Sequence, residues 1–311
     1  MQALCRHGRL AASVWNGGIA MENHGRFDYS PIARRAPLRL PNGARVAVWV
    51  VPNVEHFHFD KGGIALTEAT AGLRPDVLNY GWRDYGVRVG IWRIMELMER
   101  QGFTATVSLN SEVCRHYPQI IEEGNRLGWE WMAHGQTNSK LITGLAEDEE
   151  RRIIADVLGT IEQATGKRPR GWLGPALTET LSTIDLLAEA GVQYVADWCN
   201  DDQPYRVKTR SGSMVAMPYT LEVGDIPAFL GRGDSAEAFA QTIIDQFDVL
   251  YAEGTRSARV MNIAIHPFLV GHAFRAKHFE RALAHIRAHD EVWITRGCDI
   301  LDWYLGSGAT V

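Results

Sequence analysis

The sequence predicts a single α/β domain folded as a closed or nearly closed β/α barrel. Three observations point there. Short apolar, β-rich runs alternate with helix-length amphipathic segments from Ala44 onward, about seven or eight times over. No Pro/Gly/Ser-rich linker divides the chain, and 311 residues with 46% hydrophobic and 22% charged content suit one large globular core.

The predicted strands are Arg45 to Val51, Phe103 to Leu109, Trp129 to Ala133, Arg170 to Leu173, Gln193 to Ala196, Met214 to Met217, Val260 to Ile265 and Val292 to Ile294. Helices are expected at Val89 to Arg100, Pro118 to Leu127, Ala146 to Ala164, Glu179 to Ala190, Ala236 to Tyr251 and Lys277 to His289. The ends agree with that assignment. Glu147, Asp148, Glu149 and Glu150 crowd the first turn of the third helix, where the dipole favours negative charge, and Gly102, Gly128, Gly166 and Gly191 follow helix C-termini. Ile153, Ile154, Val157, Leu158 and Ile161 give the same helix an apolar face. The stretches Phe57 to Tyr85 and Cys199 to Arg210 read as irregular loops shaping a substrate mouth.

Composition excludes several functions. A net charge of −5 and the lack of a basic run argue against nucleic acid. Cys5, Cys114, Cys199 and Cys298 are far apart and form neither a zinc-type pair nor a disulfide framework, so a reducing cytoplasm is expected. No run approaches the roughly 18 apolar residues of a membrane span. Residues 1 to 20 read as a disordered extension rather than a signal peptide, with Met21 a plausible alternative start and the barrel occupying 21 to 311.

In a β/α barrel the reactive groups follow the strands, because the loops at their C-terminal ends build the site. Asn53, Glu55, His56 and His58 follow the first strand, and His134 and Asn138 the third. Trp172, then Asp197 and Trp198, then His266 come at the ends of later strands. Taken singly, each has a plain structural explanation: a strand-end histidine is by default a hydrogen-bonded structural group. Arg88 with Asp84 reads by default as a surface ion pair worth at most about 1 kcal/mol. Their joint occurrence shifts the balance toward a functional site centred on His134.

The ordered set Asn53-Val-Glu55, His134-Gly-Gln-Thr-Asn138, Gly171-Trp-Leu-Gly-Pro175, Asp197-Trp198 and Ile263-Ala-Ile-His266-Pro267 resembles the five motifs of the polysaccharide deacetylase superfamily, the NodB-homology or carbohydrate esterase family four fold. The resemblance implies a distorted barrel of about seven strands that hydrolyses an amide-type bond. It also places a catalytic carboxylate at position 53 and zinc ligands at 55, 134 and 138. Here those positions hold Asn53, Glu55, His134 and Asn138. Asn is a poor zinc ligand and no general base, so at most a weakly bound zinc or other divalent metal at Glu55, His134 and Asn138 is expected, and no cofactor is the first expectation.

Gly25-Arg-Phe-Asp-Tyr-Ser30, Tyr85-Gly-Val-Arg88-Val-Gly90 and Glu130-Trp-Met-Ala-His-Gly135 further resemble the allantoinase-type members and the related cyclic imide hydrolases. That likeness implies ring opening of a small cyclic ureide or imide by a homo-oligomeric enzyme. Water would attack a ring carbonyl, with His134 and His266 as general base and acid in either order and Glu55 as their orienting group. Asp197 joins the catalytic set, while Asn53, Arg88, Asn138, Trp172 and Trp198 would hold the substrate. The competing readings are a metal-dependent deacetylase of an N-acetylated carbohydrate and a catalytically silent carbohydrate-binding barrel.

Overall fold

A computed structural model describes residues 23–308. The predicted residues 1 to 20 lie outside that range. In chain order the strands are β1 (Val46–Val54), β2 (Thr106–Leu109), β3 (Glu130–Ala133), β4 (Gly171–Trp172), β5 (Tyr194–Val195), β6 (Tyr205–Thr209), β7 (Gly212–Ala216), β8 (Arg259–Ile265) and β9 (Val292–Ile294). The α-helices are α1 (Val77–Tyr85), α2 (Ile91–Gln101), α3 (Ser111–His116), α4 (Pro118–Arg126), α5 (Glu147–Thr165), α6 (Thr183–Glu189), α7 (Ala236–Glu253), α8 (Ala273–Arg287) and α9 (Gly297–Gly306). None of the described helices is long and apolar enough to cross a membrane.

One sheet runs in the order β6-β7-β5-β4-β3-β2-β1-β8, parallel throughout except for the β6–β7 hairpin, and β9 pairs with the start of β1. The sheet curls into a half-barrel whose ends nearly meet. Gly224, beyond β7, forms a parallel bridge to Ala264 of β8, and the Val260 N–H donates to the Asp202 carbonyl at 2.9 Å. β1 is buried along its whole length, as a central parallel strand covered on both faces must be, which explains its unbroken apolar run.

Strand alternation divides the core and aims the site. Val46, Val48 and Val50 pack outward against the helices, whereas Ala47, Trp49 and Val51 face the barrel interior. Asn53 and Glu55 continue that inward series at the strand's C-terminal end. The same parity sends Ala264 of β8 inward and carries His266 after it, and Met132 of β3 leads to His134. Tyr304 and Ile300 of α9 close the opposite end beneath Trp49 and Tyr194.

The six predicted helices and eight predicted strands are all present, with ends shifted by a few residues. Two segments expected to be irregular are ordered. Residues 77–85 of the first form α1, capped by the Asp76 side chain, which accepts from the Asn79 N–H. The second contains β6, an antiparallel partner of β7 that extends the sheet's edge. Short helices α3 and α9 were also unpredicted.

Candidate active site

A cavity of about 580 Å³ opens at the C-terminal ends of the strands. Its floor is polar: Asn53, Glu55, His134, Asn138, Tyr219, Asp225 and His266. Its walls are largely apolar, with Phe57, Ile64, Leu141, Leu177, Leu221 and Ile226 among the contributors.

Glu55 lies at the centre. Its Oε1 is 3.4 Å from His134 Nε2 and 3.5 Å from His266 Nε2, and it accepts from the Asn138 side-chain amide. Burial would raise this carboxyl, but His266 and His134 outweigh that effect and hold it at about 2, so Glu55 is an anion. The two imidazoles are oriented from behind. His134 Nδ1 lies 2.6 Å from the Leu173 carbonyl, which can only accept, so the proton sits on Nδ1. His266 Nδ1 lies 2.7 Å from Asp225 Oδ1, and the His266 backbone N–H donates to Asp225 Oδ2 at 2.6 Å. Burial opposes charge on His266, but Asp225 and Glu55 prevail and push its pKa up to about 10. It is an imidazolium with Nε2–H aimed at the cavity floor.

The amide of Asn138 has its direction fixed by a chain of donors. The backbone N–H of His56 can only donate, so the Asn110 atom 2.9 Å away is Oδ1. Asn110 Nδ2 therefore faces the His134 carbonyl and, at 3.0 Å, Asn138 Oδ1. Asn138 Nδ2 is left facing Glu55. The only atom of Asn138 able to ligate a metal points away from Glu55 and His134. One carboxylate and one imidazole do not make a zinc site, which takes three protein ligands even when catalytic. The residues at 55, 134 and 138 thus do not fit the metal that their motif implies.

Asn53 is tied down by weak bonds from its amide to the Val51 and Ile265 carbonyls at 3.3 and 3.4 Å and to Tyr219 Oη at 3.3 Å. Tyr219 accepts there, leaving its own hydroxyl proton for the cavity, and burial keeps the phenol neutral by raising its pKa.

Four predicted site residues lie elsewhere. Trp172 is fully buried and points outward from β4, because strand parity turns Leu173, not Trp172, to the interior. Asp197 shares the outward parity of Val195; its Oδ1 accepts from the Gly174 N–H at 2.6 Å, and its carboxyl neighbours that of Glu179. It positions the 174–178 turn and does not line the cavity. Trp198 packs edge-on against Phe27, with ring centres 5.1 Å apart, in a separate cleft that includes Arg26 and Glu179. Arg88 sits on a π-helical turn (Gly86–Gly90) whose Gly86 and Val87 face the core, leaving the Arg88 side chain 74% exposed and 3.7 Å from Asp84.

The structure adds two residues that sequence reasoning missed, Tyr219 and Asp225. Both follow β7, Tyr219 three residues beyond the strand and Asp225 nine. On the turn facing them, Ala176 and Leu177 line the cavity in the left-handed region, each at φ 54°.

Residues 82–195 match the family model described as polysaccharide deacetylase. A putative polysaccharide deacetylase of Schizosaccharomyces pombe is 26% identical over 284 residues, covering 82% of this chain and 88% of that one. The peptidoglycan deacetylase of Helicobacter pylori is 26% identical over 259 residues, covering 71% and 85%. Among solved structures, the Puue allantoinase superposes with a TM-score of 0.77 at 25% identity, over 91% of this chain and 100% of that one. A probable polysaccharide deacetylase of Pseudomonas aeruginosa PAO1 gives 0.73 at 27% identity, over 86% and 93%.

Proposed function

The chain carries a polysaccharide deacetylase domain and is a hydrolase of non-peptide C–N bonds, and from that premise we propose that it opens a small cyclic imide or ureide without a metal at Glu55 and His134. The observation that carries this reading is the orientation of Asn138, whose oxygen is committed to Asn110. The cavity adds to it: about 580 Å³ with mainly apolar walls suits a compact ring bearing an apolar substituent better than a polar glycan chain.

The mechanism follows from proton placement. His134 carries its proton on Nδ1, so its Nε2 is the lone pair available as general base. A water held between His134 Nε2 and Glu55 Oε1 would lose a proton to His134 as it attacks the ring carbonyl. Glu55 then stabilises the resulting imidazolium. Tyr219 Oη donates toward the developing oxyanion, a contribution of about 3 to 4 kcal/mol for a well-placed donor. His266, already protonated, gives its Nε2 proton to the departing ring nitrogen. In this reading His134 is the base and His266 the acid.

A panel of succinimide, hydantoin, 5-alkyl hydantoins, allantoin and N-acetylglucosamine oligomers tests the reading. Ring opening that improves with an apolar substituent is expected. Release of acetate from the oligomers, with no ring opened, would establish a carbohydrate deacetylase instead.

A further inference from the structure

Beside the catalytic floor, on the far side of the turn that follows β1, lies a second polar cluster that the mechanism does not use. We propose that His56, Glu112 and His116, completed by His58, form a binding site for a divalent transition-metal ion of the zinc class.

The ligands come from two rigid segments. His56 and His58 lie two residues apart just after β1, and Glu112 and His116 are one turn apart on α3, so they share a helix face. One ligand atom each from His56, Glu112 and His116 lies within 4.8 Å of the others. His56 Nε2 is 3.3 Å from Glu112 Oε2, close to the roughly 3.4 Å that two ligands separate when each sits about 2.1 Å from a tetrahedral ion. His58 Nε2 reaches the same oxygen at 2.8 Å. The His116 ring stacks on that of His56 with centres 4.4 Å apart and planes 4° from parallel, so His116, which is exposed, would turn out of the stack to bring a ring nitrogen to the ion.

The His56 side chain is 9% exposed, so its ring is held inside the fold with Nε2 facing Glu112. Three imidazoles and one carboxylate around a small volume match borderline metals rather than calcium or magnesium. His116 is exposed, which leaves an entry path. A second convergent group, Asp248, His285 and His289, is less enclosed, and the His289 Nδ1 is already spent on the His285 carbonyl at 2.9 Å.

The ion would brace the active site. The backbone of His56 donates to Asn110 and its carbonyl accepts from the Asn138 N–H at 3.1 Å and from Thr137 Oγ1 at 2.8 Å. Those contacts set the amide chain that holds Glu55.

The test uses the whole chain, stripped with a chelator and titrated with zinc or cobalt(II). We expect one tightly bound equivalent, visible tetrahedral cobalt absorption and a higher melting temperature with zinc. Glu112→Gln and His116→Ala should each weaken binding by more than about tenfold. His134→Ala and His285→Ala should retain it. No binding by the wild type, equal binding by His116→Ala, or loss in His134→Ala or His285→Ala with retention in His116→Ala would each overturn the assignment. Because the readout is metal occupancy, failure of the ring-opening assignment would leave it untouched.

Discussion

Asp225 grips His266 twice, taking the ring Nδ1–H at 2.7 Å through one oxygen and the backbone N–H at 2.6 Å through the other. The pair fixes both the direction and the charge of the imidazole. Asp225→Asn keeps the volume and removes the anion. We expect ring-opening kcat to fall by roughly 10² to 10⁴ with a much smaller change in KM, measured by steady-state kinetics on the best substrate of the panel. An unchanged kcat would remove His266 from the role of acid.

Position 138 decides whether the family's metal site exists. Asn138→His supplies the nitrogen that the present amide withholds, so the variant should bind a zinc equivalent beyond that of the parent. Its occupancy should persist when Glu112→Gln is added, and metal analysis of the purified variants reads it directly. If zinc content does not rise, the orientation of Asn138 is not what excludes the ion.

His266 also depends on a close backbone crossing. A Cβ on Gly90 would sit 2.0 Å from the carbonyl oxygen of Pro267, the residue after His266. Gly90→Ala must push the His266 turn away from α2. A loss of about 1 to 3 kcal/mol in stability is expected by denaturant titration, together with a lower kcat. Wild-type values of both would mean that the crossing is not tight.

Glu179 and Asp197 form a buried carboxyl pair in which burial raises both groups, Glu179 from 4.5 to about 7. The folded state holds the extra proton, so this contribution to stability is complete below about pH 4.5, declines as pH rises toward 7 and is flat above. Glu179→Gln should therefore change the melting temperature little near pH 4 and raise it near pH 8, by at most about 3 kcal/mol in free energy. A difference independent of pH would show that the carboxyl is not perturbed.

Much of this was legible in the sequence because strand parity carries information past the strand's end. The inward series Ala47, Trp49, Val51 predicts where Asn53 and Glu55 point, and His134 and His266 obey the same rule on β3 and β8. Trp172 and Asp197 also lie near strand ends, but the same parity turns them to the outward face, so nearness to a strand end alone does not bring a side chain to the cavity. Asp225 escaped because eight residues of turn separate it from β7, and it is brought to His266 only by the bridge between Gly224 and Ala264. α3 was hidden by its six-residue length, too short for a helical period to show, and with it the companionship of Glu112 and His116.

The cavity wall built by Ala176 and Leu177 has a consequence for how this enzyme could change its substrate. Both residues adopt a left-handed backbone that costs an L-residue roughly 1 to 2 kcal/mol and a glycine almost nothing. Widening a pocket by truncation ordinarily sacrifices packing. At Leu177, which is partly buried against the inner core, a glycine would enlarge the chamber while relaxing the chain, so the backbone relief offsets part of the packing lost. The narrow wall is maintained against the local preference of its own backbone, which makes it the most evolvable boundary of the site.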